Sequence, residues 1–402
     1  MPTPSRRSMS DIQSWLEGIP TRRLRPLPHR IRKRKRMSST PSGSQGPSGP
    51  ASGGRVKRLR QSSATSSGPS GTSQPSQVFL LPPLSSHGSL QRPRSPTKGA
   101  ADLGRFARPV EYQPPLPTVR LPDPIRSLDA TMTKHEIVTA QADPDDVLEQ
   151  GFTDHGSVGQ ARDTFASLQK IVAATGWSIR WRRSEAAWNN HVHTPMLEMA
   201  LADVEFVQAE LITAASILPS FLPRVQLGPA SLVEAVSQAK MVDYALVLQP
   251  ITDPTDSPPT AYQTLLRSLP IDQYALSQTD YGPLRHFPAP VVLETKADSG
   301  DLGEAKAQLG VWAAAWFQRM RLLFPQDYQT MPVPLLIARA EAWTVYYACE
   351  REDGISIYGP VVIGDTLTLA SIYKLLASLK AIGRWVATEF KEWFEGSIER
   401  NM

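Results

Sequence analysis

Glu294 and Lys296 stand two positions apart in APVVLETKA (289–297), a run otherwise built from small, apolar and β-branched residues. Side chains of an extended strand alternate between faces, so the carboxylate and the ammonium share one face with Val292 while Thr295 looks the other way. In KMVDYALVL (240–248), Asp243 is the only charged residue between Met241 and Leu248. A carboxylate in such apolar company is costly to bury unless a positive group meets it. If the two runs are neighbouring strands, Asp243, Glu294 and Lys296 converge on one point of a sheet. Two carboxylates that close repel each other, and a divalent cation is the usual relief.

Other polar residues can join them. Gln308 and Trp312 lie one turn apart in EAKAQLGVWAAAWFQRM, and Glu185 in RRSEAAWNNHVHTPML is an acid near a strand entrance, with Glu198 its rival on the same helical stretch. Each residue also has a plainer explanation. Glu294 and Lys296 can be a solvated pair on an edge strand, where an ion pair contributes little. Asp243 can accept a hydrogen bond from the backbone and do nothing else. Trp312 and Trp316 follow an apolar stripe and suit core packing. His191 and His193 are two apart, do not share a helical face, and so make a poor metal pair.

The elements that must position these residues alternate along the chain. SVGQARDTFASLQKIVAATG (157–176) reads as a helix with a serine cap and a glycine stop, and Ser184 as the cap of a second helical stretch that Pro195 breaks or restarts. AELITAASI (209–217), KMVDYALVL and APVVLETKA are three strand candidates. An amphipathic helix over 301–324 follows, through Leu302, Ala305, Leu309, Trp312, Trp316 and Met320. LLIARAEAWTVYYACE, the turn REDG and ISIYGPVVI predict a further strand and a hairpin, and a last helix runs from about Thr366 to Phe394. The order predicts an α/β fold with a mixed central sheet flanked by helices, one domain over 143–397. Between Asp243 and Glu294 a Pro-rich insertion at about 249–288 carries a short helix near Ala261 to Ser268.

The chain ahead of this body differs in kind. Of the 402 residues, 37 are Pro and 25 Gly. Residues 1–100 hold 18 Lys and Arg against Asp11 and Glu17, a net charge of +16, whereas the remainder carries −11, for the total of +5. From Met37 to about Gly99 the chain is dominated by Ser, Gly, Pro and Thr, a composition that cannot bury enough apolar surface to order itself. Prolines continue through EYQPPLPTVRLPDP, so residues 1–128 are expected to be a disordered basic tail and linker. Within it SDIQSWLEGI (10–19) is a candidate docking helix, too short to be stable alone. IRKRKR (31–36) and RVKRLR (55–60) suit a nuclear import receptor, through Arg32–Arg36 and Arg55–Arg60, or a nucleic-acid backbone. One cysteine, Cys349, excludes an intramolecular disulfide and a multi-cysteine zinc site. No apolar run approaches the roughly 18 residues of a membrane span. A soluble, intracellular and nuclear protein is expected.

A strand Asp, Glu-x-Lys on the next strand, a helical Glu before them and Gln-x-x-x-aromatic after them together resemble the PD-(D/E)XK nuclease superfamily. The last element resembles that of its RecB-like members, which have tyrosine where this chain has Trp312. The series RRSEAAWNNHVHTPML, KMVDYALVL, VVLETK and EAKAQLGVWAAAWFQRM is similar to the nuclease-like domain of many fungal proteins, over about 150–395. The resemblance implies a restriction-endonuclease-like αβββαβ core and hydrolysis of phosphodiester bonds, with DNA as the expected substrate. It also implies Mg²⁺ or Mn²⁺ held by Asp243, Glu294 and the main-chain carbonyl of Thr295. Lys296 would position the attacking water or stabilise charge on the phosphate, Glu185 would be the helical acid, and Gln308 would bond the lysine region or the substrate backbone. The −11 body is a poor partner for a polyanion, which the basic tail or Arg180, Arg182 and Arg183 would offset.

Overall fold

A computed structural model describes residues 99–141, 158–228, 231–234, 241–251, 253, 255–327 and 330–402. The expectations for SDIQSWLEGI, both basic clusters and the Ser/Gly/Pro-rich run up to residue 98 lie outside the described residues.

Seven strands form one mixed sheet: β1 (Val110–Gln113), β2 (Val207–Leu211), β5 (Tyr244–Leu248), β6 (Val291–Lys296), β7 (Val333–Arg339), β8 (Ala342–Glu350) and β9 (Ile355–Asp365). Their order is β1-β9-β8-β7-β6-β5-β2, while β3 (Arg224–Gly228) and β4 (Ser231–Glu234) pair separately. β2, β5 and β6 are successively antiparallel, and β7 runs parallel to β6. A parallel neighbour needs a crossover. Here the α7 helix (Leu302–Leu323) makes it, started by Asp301, whose side chain accepts from the Gly303 N–H at 2.7 Å. Every residue of β5 and β6 is buried, as the apolar character of both runs requires of interior strands. The expected α/β fold with its helix-flanked mixed sheet is the one present.

The linker does not extend to residue 128. From Gly99 the chain is folded: Ala100–Arg105 is a 3₁₀ turn, β1 adds parallel to β9, and the α1 helix spans Asp123–Gln141. Leu103, Phe106, Val110, Leu121 and Ile125 are buried. The prolines fall between these elements or at a helix start, where a missing N–H costs nothing, and an edge strand needs pairing on one side only. At the crossing of this segment with α7, a Cβ on Gly310 would collide with the Leu103 side chain.

The helices also depart from the expected limits. The α2 helix (Val158–Trp181) runs straight through Gly176, because Leu168, Ile171, Thr175 and Ser178 continue one buried stripe across it. A single glycine costs only about 1 kcal/mol in a helix, less than such a face gains by burial. Arg182, at φ +48°, ends it in the left-handed conformation. After it come α3 (Glu185–Trp188), a π-turn (Asn189–His193) and α4 (Thr194–Leu201). Pro195 therefore widens the preceding turn rather than breaking the helix. Ser184 takes the extended N-cap conformation, but its side chain makes no capping bond.

Candidate active site

The register that sets Tyr244 opposite Leu293 brings Asp243 to the level of Glu294, where β5 leaves β6. Asp243 spans the gap: its Oδ2 accepts from the Thr295 N–H at 2.8 Å and the Thr295 hydroxyl at 2.6 Å. A strand residue's N–H and carbonyl point to the same edge, so Thr295 also turns its carbonyl toward this opening. Glu294 is 1% exposed; its Oε1 receives the Lys296 ammonium, and its buried Oε2 has no hydrogen-bond partner. The pair therefore lies on an interior strand and is not a solvated edge pair.

Glu185 completes the group from the helical side. Its Oε2 is 3.7 Å from Lys296 Nζ, and its side chain remains 39% exposed, so it forms the rim through which the buried charges meet solvent. Glu198 is exposed on α4 and acts electrostatically on Tyr244 instead. Gln308 does not reach Lys296. Its Nε2 donates to the Met241 carbonyl at 2.7 Å, two residues ahead of Asp243, so α7 anchors the segment that carries the acid into β5.

The cluster is electrostatically strained. Burial, then the Asp243 charge, push Glu294 up to about 8 against the pull of Lys296. Burial raises Glu185 most, with Asp243 adding to it and Lys296 opposing. For Lys296 burial opposes the charge, but Glu294, Glu185 and Asp243 prevail and hold the ammonium protonated above its usual range. Among the described residues no three His, Cys, Asp or Glu side chains stand close enough to hold a metal ion. The donor set present is two carboxylates and a main-chain carbonyl. The orphaned Glu294 Oε2 and the mutual repulsion of the acids fit a hard divalent cation such as Mg²⁺ or Mn²⁺.

Two supports are absent from the sequence reading. Gly300 packs on the Lys296 stem: a Cβ there would stand 2.7 Å from Lys296 Cβ. His193 is fully buried, its Nε2–H donating to the Ala340 carbonyl at 2.9 Å while Nδ1 lies against the Asn189 side chain at 2.8 Å. The Ala340 N–H in turn donates to the Lys296 carbonyl at 2.7 Å, so the histidine pins the end of β6 through one intervening residue. His191 is exposed. A glycine four residues past a strand gives no signal in sequence; a histidine within an apolar helix face gives one, but it indicates a core role. Trp312 and Trp316 are buried, as their stripe predicts.

A buried ammonium beside two acids, open to solvent at one rim, can hold a cation and an anionic group together. The family model described as the PD-(D/E)XK nuclease superfamily matches residues 135–391. No curated protein matches the chain significantly.

Proposed function

Because the chain belongs to the PD-(D/E)XK nuclease superfamily, we propose that it is a divalent-metal-dependent nuclease acting on DNA. The observation that carries this reading is the Glu294 carboxylate, buried in an interior strand with one oxygen on Lys296 and the other unpartnered, level with Asp243. Asp243, Glu294 and the Thr295 carbonyl would hold Mg²⁺ or Mn²⁺, which when bound supplies Lewis-acid stabilisation of the charge building on the phosphate. Lys296, kept as an ammonium by its acidic neighbours, acts as a fixed positive charge beside the phosphate rather than as a proton acceptor. Glu185 at the rim orients the attacking water, and Gln308 positions Asp243 by fastening Met241. The basic clusters Arg32–Arg36 and Arg55–Arg60 direct the chain to the nucleus, and their tail attracts the polyanion that the acidic body does not.

The test is cleavage of end-labelled single- and double-stranded DNA in Mg²⁺ or Mn²⁺. Chelator should abolish it, and Asp243→Ala or Lys296→Ala should lower it by roughly 10²-fold or more. Cleavage unchanged in either variant refutes the assignment. A fluorescent fusion that stays nuclear after both clusters are changed to alanine refutes the import role.

One observation favours a second reading, a catalytically silent member that binds nucleic acid or a protein: the missing third metal-binding side chain among the described residues. It predicts binding without turnover and no response to chelator.

A further inference from the structure

The end of α2 carries an exposed aromatic and basic patch that the fold does not use. Trp177 and Trp181, one turn apart, are 51% and 64% exposed, whereas Trp188, Trp312, Trp316, Trp343 and Trp385 are buried. Their rings are parallel within 4°, with centroids 6.4 Å apart. Exposed Arg180 lies 5.7 Å over the Trp181 ring, and Arg182 follows it. Two large parallel rings in water are an unusual outlay of apolar surface for a helix whose other face already serves the core.

Position gives the patch a partner. Glu185 lies four positions after Trp181, so the Trp181 end of the platform is within roughly 14 Å of the rim acid along the chain. Flat bases stack on aromatic rings whatever their sequence, and guanidinium groups pair with the phosphates between them. We infer that Trp177 and Trp181, with Arg180 and Arg182, are a stacking platform that holds unpaired bases of a single-stranded nucleic acid and leads its backbone to Glu185 and Lys296. A duplex, whose bases are stacked inside, offers the rings nothing. The platform rests on the nuclease reading for the direction of the strand but not for its own affinity.

The experiment is anisotropy of a fluorescent 20-nucleotide single strand and of the matching duplex, with the full chain in chelator and about 0.2 M salt, which weakens the tail's phosphate contacts. Trp177→Ala with Trp181→Ala should weaken single-strand binding at least about tenfold and duplex binding less than about twofold. The double Trp→Phe variant should restore most of the loss, and both variants should keep the wild-type melting temperature because the rings are exposed. Equal loss on both probes, or no loss, overturns the platform. So does loss of binding to phosphatidylserine vesicles with none to the single strand, which would assign the patch to a membrane surface. Cleavage in Mg²⁺ separates the two proposals. Wild-type cleavage that the tryptophan variants leave untouched, with unchanged binding, removes the platform alone. Selective loss of single-strand binding in a chain that never cleaves removes the hydrolysis alone.

Discussion

Asp243 Oδ2 accepts two hydrogen bonds from Thr295, one from its main chain and one from its hydroxyl. The carboxylate thus closes the gap where β5 leaves β6 while facing Glu294, so its hydrogen-bonding and its charge have separate consequences. Asp243→Asn keeps an acceptor for Thr295 and removes the repulsion on Glu294. Asp243→Ala leaves a buried N–H and hydroxyl unpartnered. The alanine variant should lose about 1–3 kcal/mol of stability in urea titration, the asparagine variant should match or exceed wild type, and both should lose metal-dependent cleavage. Equal stabilities would mean that Thr295 does not depend on this acceptor.

Gly300 predicts a defect of position rather than of folding. A methyl there must displace the Lys296 stem. Gly300→Ala should lower kcat roughly ten- to hundredfold, since a misplacement of about 1 Å at a reacting group has that effect. Far-ultraviolet circular dichroism and the urea midpoint should change little.

His193 makes stability depend on pH. Burial depresses its folded value from 6.5 to about 4, so below 6.5 the unfolded chain takes up a proton that the folded one refuses. Its contribution is complete above pH 6.5 and is lost as pH falls toward 4, up to about 3 kcal/mol. His193→Gln, which can still donate to Ala340, should flatten the stability profile between pH 7 and 4. An unchanged slope would mean that another group sets the acid limit.

The segment from Gly99 onward should be needed for folding. Leu103→Ala removes a fully buried side chain packed on Gly310 and should cost about 2–5 kcal/mol. Deleting residues 1–98 should leave the cooperative melt intact, while deleting residues 1–142 should abolish it by removing β1 and α1.

The interior of the sheet was legible because β5 and β6 are short apolar runs and α7 holds a long periodic stripe. A charge within such a run stands out, which made Asp243, Glu294 and Lys296 visible. Glu185 was distinguishable from Glu198 only in three dimensions, since both share one helical stretch and the π-turn between them resets which residues face the sheet. β1 was hidden by its setting: four residues among prolines become a strand only when β9, some 240 positions later, supplies a parallel partner. The end of α2 was misread for the same reason, because the stripe that carries it past Gly176 is completed by Thr175 and Ser178, polar residues that the core nevertheless encloses.

The contact between Lys296 and Glu294 also limits how this chain can change. A substitution that removed the lysine alone would strand two acids in the interior of the sheet, a far larger penalty than any loss of turnover. Removing Glu294 alone would leave a buried ammonium with less to answer it. The path away from this pair therefore passes through joint replacement of Glu294 and Lys296 by apolar residues, so single mutational steps keep the two together even in a descendant that no longer cuts anything.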